Sequence, residues 1–252
     1  RLNEDNPCPQ LGKIVATNPC VTGDTPILTK DGYRQIKDLV GKKVIIWNGE
    51  SCSMVEPKVT GENQEVMTIY FSDGAELKCT PYHKFHIQKK YGRDGEKVIK
   101  KAEELVVGDK LCKTEYPVIT HGENTMSTLD AYVNGFFTGD GTQDKRGHKL
   151  LRLYGEKKKL TELFGLYGSV GDISMTSINI SLTQNSKIKD KYWIPENECY
   201  KNRIAWLAGL IDADGNRNSK EGSVIITSIH RDFLLKIRLM LNTLGVPAHV
   251  LP

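Results

Sequence analysis

Residues 208–215 read AGLIDADG, and residues 134–141, 74 positions earlier, read NGFFTGDG. Each run sets small residues four apart, Gly135 with Gly139 and Gly209 with Ala213, and each closes on a carboxylate followed by glycine, Asp140 with Gly141 and Asp214 with Gly215. Positions four apart share one face of an α-helix. With no bulk on that face, two helices can pack backbone to backbone. The pattern therefore predicts two helices, each ended by a glycine cap, whose close packing brings Asp140 and Asp214 side by side. Two adjacent carboxylates can hold divalent metal ions.

Beyond the second run, residues 223–228 read as a strand and residues 231–244 as an amphipathic helix with Leu234, Ile237, Leu241 and Leu244 on one stripe. About sixty residues separate the first run from the second predicted helix, and they include strands near residues 173–182. Basic clusters fall in the same half: Lys157 to Lys159, then Lys187, Lys189 and Lys191, then Arg231, Lys236 and Arg238. They fit solvated faces and phosphate-screening surfaces equally well.

The first half has a different texture. Short β-type runs at residues 44–47, 67–71 and 84–87 are broken by Asp31-Gly32, Asn48-Gly49, Asp73-Gly74 and Asp94-Gly95, which predicts a compact all-β domain. The text changes around residues 116–127. At the head of this domain, residues 20–28 read CVTGDTPIL, which sets a thiol ahead of a tight turn and behind nineteen residues of another character. Cys20 is placed to attack the carbonyl of Pro19 and convert an amide into a thioester. That reaction is uphill and needs an oxyanion donor and a proton donor to the leaving amine. Thr80 and His83, three residues apart, can supply both. Cys52, Cys79, Cys112 and Cys199 sit in no motif and no metal-ligand spacing, and His86 reads as structural.

The second half resembles the LAGLIDADG (dodecapeptide) homing endonucleases, whose name residues 207–215 match letter for letter. The first run departs from the pattern at Phe136, Phe137 and Thr138 but keeps Asp140. The resemblance implies an α+β domain over residues 116–252 with an incomplete second repeat. It implies catalytic Asp140 and Asp214 binding Mg²⁺, and β-sheets that follow the major groove of double-stranded DNA. Two repeats in one chain imply a monomer.

The first half resembles an intein, a protein-splicing element of the Hint type. Cys20 with VTGDTPIL matches the first splicing block, Thr80-Pro81-Tyr82-His83 the TxxH of the second, and residues 104–111, ELVVGDKL, the strand entry that follows. This implies an all-β splicing domain over residues 20–115, with catalytic Cys20, Thr80 and His83 performing an N–S acyl shift at Pro19–Cys20 without a cofactor. Residues 1–19 are then host sequence, with Cys8 part of the host. Their end, ATNP running into Cys20, resembles ribonucleotide reductases, particularly the adenosylcobalamin-dependent class, so adenosylcobalamin belongs to the host alone. Residues 246–252 hold no His-Asn pair followed by Cys, Ser or Thr, so full splicing is expected to need a C-terminal segment and its flanking host sequence, from a longer parent chain or a split fragment. Truncation of the parent is the favoured reading. An alternative is a reductase fragment whose inserted elements are inactive.

The composition agrees with a soluble globular protein and selects no partner. The 252 residues include 38% hydrophobic and 26% charged, with a net charge of +4. No apolar run of about eighteen residues and no secretion leader occur, and six unpatterned cysteines suit the reducing cytoplasm.

Overall fold

A computed structural model describes residues 20–89, 97–112, 115–183, 187–218 and 222–251. The leader with Cys8 and Pro19, and the Asp94-Gly95 turn, lie outside the described residues. Contacts divide the chain into two units: one runs up to Tyr116 and resumes at His249, the other spans Pro117–Ala248. In sequence, the second unit is an insertion within the first.

The first unit is built of antiparallel hairpins. Strands β1 (Pro26–Thr29), β2 (Gly32–Gln35), β3 (Val44–Trp47) and β4 (Cys52–Val55) form one sheet in the order β2-β1-β3-β4. Strand β5 (Met67–Tyr70) pairs with β6 (Glu76–Cys79), and β7 (Lys84–Gln88) with β8 (Lys97–Lys101). The turn into β2 needs a left-handed residue, and Gly32, at φ +104°, supplies it without a Cβ penalty. Alternation along β7 buries Phe85 and Ile87 and turns Lys84 and His86 outward, so His86 is a surface residue. Phe85 and Ile87 join Cys79 and Ala102 in the core, with Val21, Met67, Ile69, Phe71, Leu77 and Leu105 packed around them.

Residues 104–111, expected to open a strand, form capped turns instead. Glu104 accepts from the Lys101 N–H at 2.8 Å, and Asp109 accepts from the Val106 N–H at 2.9 Å while pairing with Lys100 at 2.8 Å. Carboxylates spent on local N–H groups favour turns over ladders. Only Leu111 reaches β-structure, as a bridge to Ile87. The returning chain is tied to the β5–β6 turn, where the Val250 N–H donates to the Asp73 carbonyl at 2.9 Å.

The second unit repeats a helix-then-hairpin plan. Helix α1 (Thr128–Asp140) begins at a capping box in which Ser127 and Asp130 satisfy each other's backbone N–H groups, and it runs straight into β9 (Gly141–Gln143) and β10 (Lys149–Tyr154). Helix α2 (Thr161–Gly165), β11 (Gly168–Ile173) and β12 (Ser177–Leu182) complete a sheet ordered β11-β12-β10-β9. Helix α3 (Tyr200–Asp214) likewise runs into β13 (Asn216–Asn218) and β14 (Ser223–Ile225), and α4 (Arg231–Asn242) follows. The strand expected over residues 223–228 thus stops at Ile225. Of the expected stripe, Ile237 and Leu244 are buried and Leu234 and Leu241 only partly so, while Phe233 and Met240 complete the buried face of α4. The helix is turned by about one residue from the expected face, because Phe233 and Met240 are drawn into the cluster around Trp206 and Leu210.

Helices α1 and α3 cross where their small residues meet. A Cβ on Gly135 would stand 2.7 Å from the Trp206 carbonyl carbon, and one on Gly209 2.8 Å from the Phe136 nitrogen. One turn further on, a Cβ on Gly139 would stand 2.5 Å from that of Ala213. The terminal glycines work differently from the expected caps. Gly141 and Gly215 have φ of −75° and −71°, in the extended region open to any residue. Glycine is needed there because a Cβ on Gly215 would stand 2.5 Å from the Ile211 carbonyl oxygen, and one on Gly141 would collide with Phe137. The chain leaves each helix directly as a strand, so no left-handed cap is formed.

Candidate functional site

The helix crossing delivers Asp140 and Asp214 to one place, at the C-terminal ends of α1 and α3. A Cβ on Gly139 would lie only 3.3 Å from the Asp214 carboxyl carbon. Burial, reinforced by the Asp214 charge, pushes the Asp140 carboxyl up, against the pull of Lys157. Lys157 donates to Asp140 at 2.6 Å and to the Ala213 carbonyl at 2.5 Å. Lys191 donates to the carbonyls of Gly139 at 2.8 Å and Gly141 at 2.6 Å, where α1 leaves its last acceptors unpaired. Burial pushes the Lys191 ammonium down, opposed by the charges of Asp214 and Asp140. The remaining carboxylate of the second run, Asp212, is engaged elsewhere: it accepts from the Tyr132 hydroxyl at 2.9 Å. Burial and that bond push the Tyr132 phenol up to about 12.

Among the described residues no group of three or more His, Cys, Asp or Glu side chains could hold a metal. The donor set is two carboxylates with the helix-end carbonyls beside them. All are hard oxygen donors, and Mg²⁺ is commonly held by one or two carboxylates, with water and substrate phosphate completing its shell. Two ammonium groups already lie among these oxygens, the physical sign of a site with excess negative potential. Asp140 and Asp214 thus fit a divalent cation. Lys157 and Lys191 were visible in sequence only as members of basic clusters. Which lysine of each cluster turns inward is a property of the folded chain.

The thiol site in the first unit is assembled on β6 and the turn after it. Val21 bridges to Cys79, and the Cys20 carbonyl accepts from the Thr80 N–H at 3.0 Å. The Thr80 carbonyl in turn accepts from the His83 N–H at 2.9 Å, which curls the turn so that Cys20, Thr80 and His83 come together. Thr80 is 1% exposed, and its Oγ1 is buried without a hydrogen-bond partner, as is His83 Nδ1. Each orphaned group costs about 1–3 kcal/mol, so the fold holds polar atoms in reserve beside Cys20. Burial pushes the His83 imidazole down, opposed by its hydrogen bond to the Cys20 backbone. Cys20 Sγ lies 2.9 Å from Thr60 Oγ1 and 3.7 Å from Tyr82 Oη. Sequence reasoning passed over Thr60, forty positions away and in no motif.

Residues 201–250 match the family model described as a LAGLIDADG-like domain. The chain is 36% identical over 249 residues to the ribonucleoside-diphosphate reductase large subunit of Invertebrate iridescent virus 6, covering 94% of this chain and 26% of that protein. It is 25% identical to a ribonucleoside-diphosphate reductase subunit alpha of Bacillus subtilis, covering 97% of this chain and 27% of the relative. It is 30% identical over 156 residues to the replication factor C small subunit of Methanocaldococcus jannaschii, covering 55% of this chain and 8% of that protein. The chain spans about a quarter of the length of the two reductases. Residues 201–250 therefore carry a LAGLIDADG-like domain, in a chain similar along almost its whole length to part of ribonucleoside-diphosphate reductases.

Proposed function

We propose that the second unit is a divalent-metal-dependent endonuclease acting on double-stranded DNA, carried within a Hint-type splicing element whose host is a ribonucleotide reductase. The observation that carries the nuclease reading is the meeting of Asp140 and Asp214 at a crossing where the helices approach across Gly135, Gly139, Gly209 and Ala213. When bound there, a divalent ion such as Mg²⁺ supplies activation of the attacking water and charge neutralisation at the scissile phosphate. The chain's own residues do the rest. Asp140 and Asp214 hold the ion from two helices at once. Lys157 and Lys191 place positive charge beside the carboxylates, where an incoming phosphate needs it. The test is selection from random-sequence duplexes: incubated with Mg²⁺, the chain should cleave a defined subset, and Asp214→Asn should cleave none. Equal cleavage by wild type and Asp214→Asn sinks this reading.

The splicing reading rests on the orphaned Thr80 Oγ1 and His83 Nδ1 beside Cys20. In this reading the Cys20 sulfur adds to the carbonyl ahead of it, Thr80 answers the oxyanion, and His83 hands a proton to the departing nitrogen. The relatives lend support of a different kind. Proteins with names as unlike as a reductase subunit and a replication factor subunit share similar sequence with this chain, as expected of an element carried by unrelated hosts. Intact-mass analysis with and without dithiothreitol tests it: thiol-dependent loss of residues 1–19 is expected, and loss that persists in Cys20→Ala refutes it.

A further inference from the structure

The sulfur of Cys20 has a partner that the splicing motifs do not contain. Thr60 lies in a segment without helix or strand after β4, exposed to solvent, and its Oγ1 stands 2.9 Å from Cys20 Sγ. The Thr80 hydroxyl and His83 Nδ1 are unpaired and so make no hydrogen bond to the sulfur. Thr80 gives its N–H to the Cys20 carbonyl, the His83 imidazole hydrogen-bonds to the Cys20 backbone, and Tyr82 Oη stands 3.7 Å from the sulfur. We propose that Thr60 is a catalytic residue of the acyl shift, its hydroxyl donating a hydrogen bond to the Cys20 thiolate and holding the sulfur in position for attack. The proposal rests on the splicing reading of the first unit and extends it by one residue.

The chemistry closes without a further reactant. The thiol proton passes to water, and the sulfur forms a bond to the carbonyl carbon of the preceding residue. The carbon–nitrogen bond then breaks, and the Cys20 nitrogen takes a proton from His83, which water restores. Thr60 keeps its own proton throughout, because an aliphatic hydroxyl does not ionise in the range where a thiol does. Tyr82 is the weaker candidate on distance, its Oη standing 3.7 Å from the sulfur. A hydrogen bond from a hydroxyl to an ionised partner is charge-assisted and directional, so Thr60 holds the sulfur in one orientation.

Three chains decide the matter, each read in two ways: wild type, Thr60→Val and Thr60→Ser. Valine matches threonine in shape and lacks the hydroxyl, so access to the sulfur is unchanged. The first reading is the rate at which dithiothreitol releases residues 1–19. The second is alkylation of Cys20 by iodoacetamide at pH 7, located by peptide mass, with exposed Cys52 as the internal standard. Loss of one hydrogen bond to a charged group predicts that Thr60→Val slows both about tenfold while Cys52 reacts unchanged. Thr60→Ser should recover to within about twofold of wild type, as the hydroxyl is retained. A Thr60→Val chain that reacts like wild type overturns the proposal. So does a Thr60→Ser chain as slow as Thr60→Val, which would assign the effect to shape. Failure of the splicing reading shows separately, as release of residues 1–19 from Cys20→Ala, and the alkylation arm decides the role of Thr60 at the sulfur in either case.

Discussion

Gly135→Ala is the sharpest test of the helix crossing that creates the carboxylate pair. The added Cβ would stand 2.7 Å from the Trp206 carbonyl carbon, with the carbonyl oxygen nearer still, whereas ordinary contact begins at 3.4 Å. The obstacle is helix backbone, which cannot rotate aside as a side-chain end can. The axes of α1 and α3 must therefore part by at least about 0.7 Å, and the dense packing along the interface is lost with them. Overpacking of this kind costs about 1–3 kcal/mol and more where backbone must move, so about 3 kcal/mol is expected. For a unit of this size that lowers the melting temperature by roughly 10 °C. Gly165→Ala is the matched control, for it lies in α2 and its Cβ would meet only the Val170 side chain at 3.6 Å. There alanine should stabilise by about 0.5–1 kcal/mol through helix propensity. Thermal and urea unfolding followed by far-UV circular dichroism reads both. Metal-dependent DNA cleavage should fail in Gly135→Ala even below its melting point, since the carboxylates are carried apart. A Gly135→Ala chain that unfolds within about 0.5 kcal/mol of wild type would refute the backbone-to-backbone crossing.

Three further outcomes follow from the same geometry. Asp140→Asn removes a half-buried carboxylate held against burial and the Asp214 charge, so it should raise the melting temperature in metal-free buffer while abolishing cleavage; a lower melting temperature would contradict it. His83 is pushed below its ordinary 6.5 by burial, so the folded chain binds fewer protons there than the unfolded one. The associated stability is complete above pH 6.5 and is lost as pH falls below it. Urea midpoints at pH 7.5 and 5.5 should differ less in His83→Gln than in wild type. Gly74→Ala meets both a φ of +82° and Val250 Cβ at 2.8 Å, whereas Gly41→Ala meets only a φ of +72° with nothing within 4 Å. The first should therefore be more destabilising than the second by about 1 kcal/mol or more in urea titration, and equal effects would show that the returning chain at Val250 is not held.

Local chemistry determined a large part of this protein. Small residues four apart in a helix permit a close helix crossing, because a face without bulky side chains lets two backbones approach. Asp140 and Asp214 follow from their places at the ends of those runs. Short β-type runs and Asx-Gly turns likewise specified the hairpins of the first unit, since both act within a few residues. Tertiary structure decided whatever depended on neighbours distant in sequence. Gly141 and Gly215 resemble helix caps in sequence, yet each is required by the close approach of its own helix as the chain departs in an extended conformation. The buried stripe of α4 was set by Trp206 and Leu210 rather than by its own leucines. Lys157 and Lys191 turn toward the carboxylates because the last turns of two crossing helices concentrate unpaired carbonyls and negative charge in one place. Thr60 reaches Cys20 across forty residues, a contact made by loop placement, which no period or motif encodes.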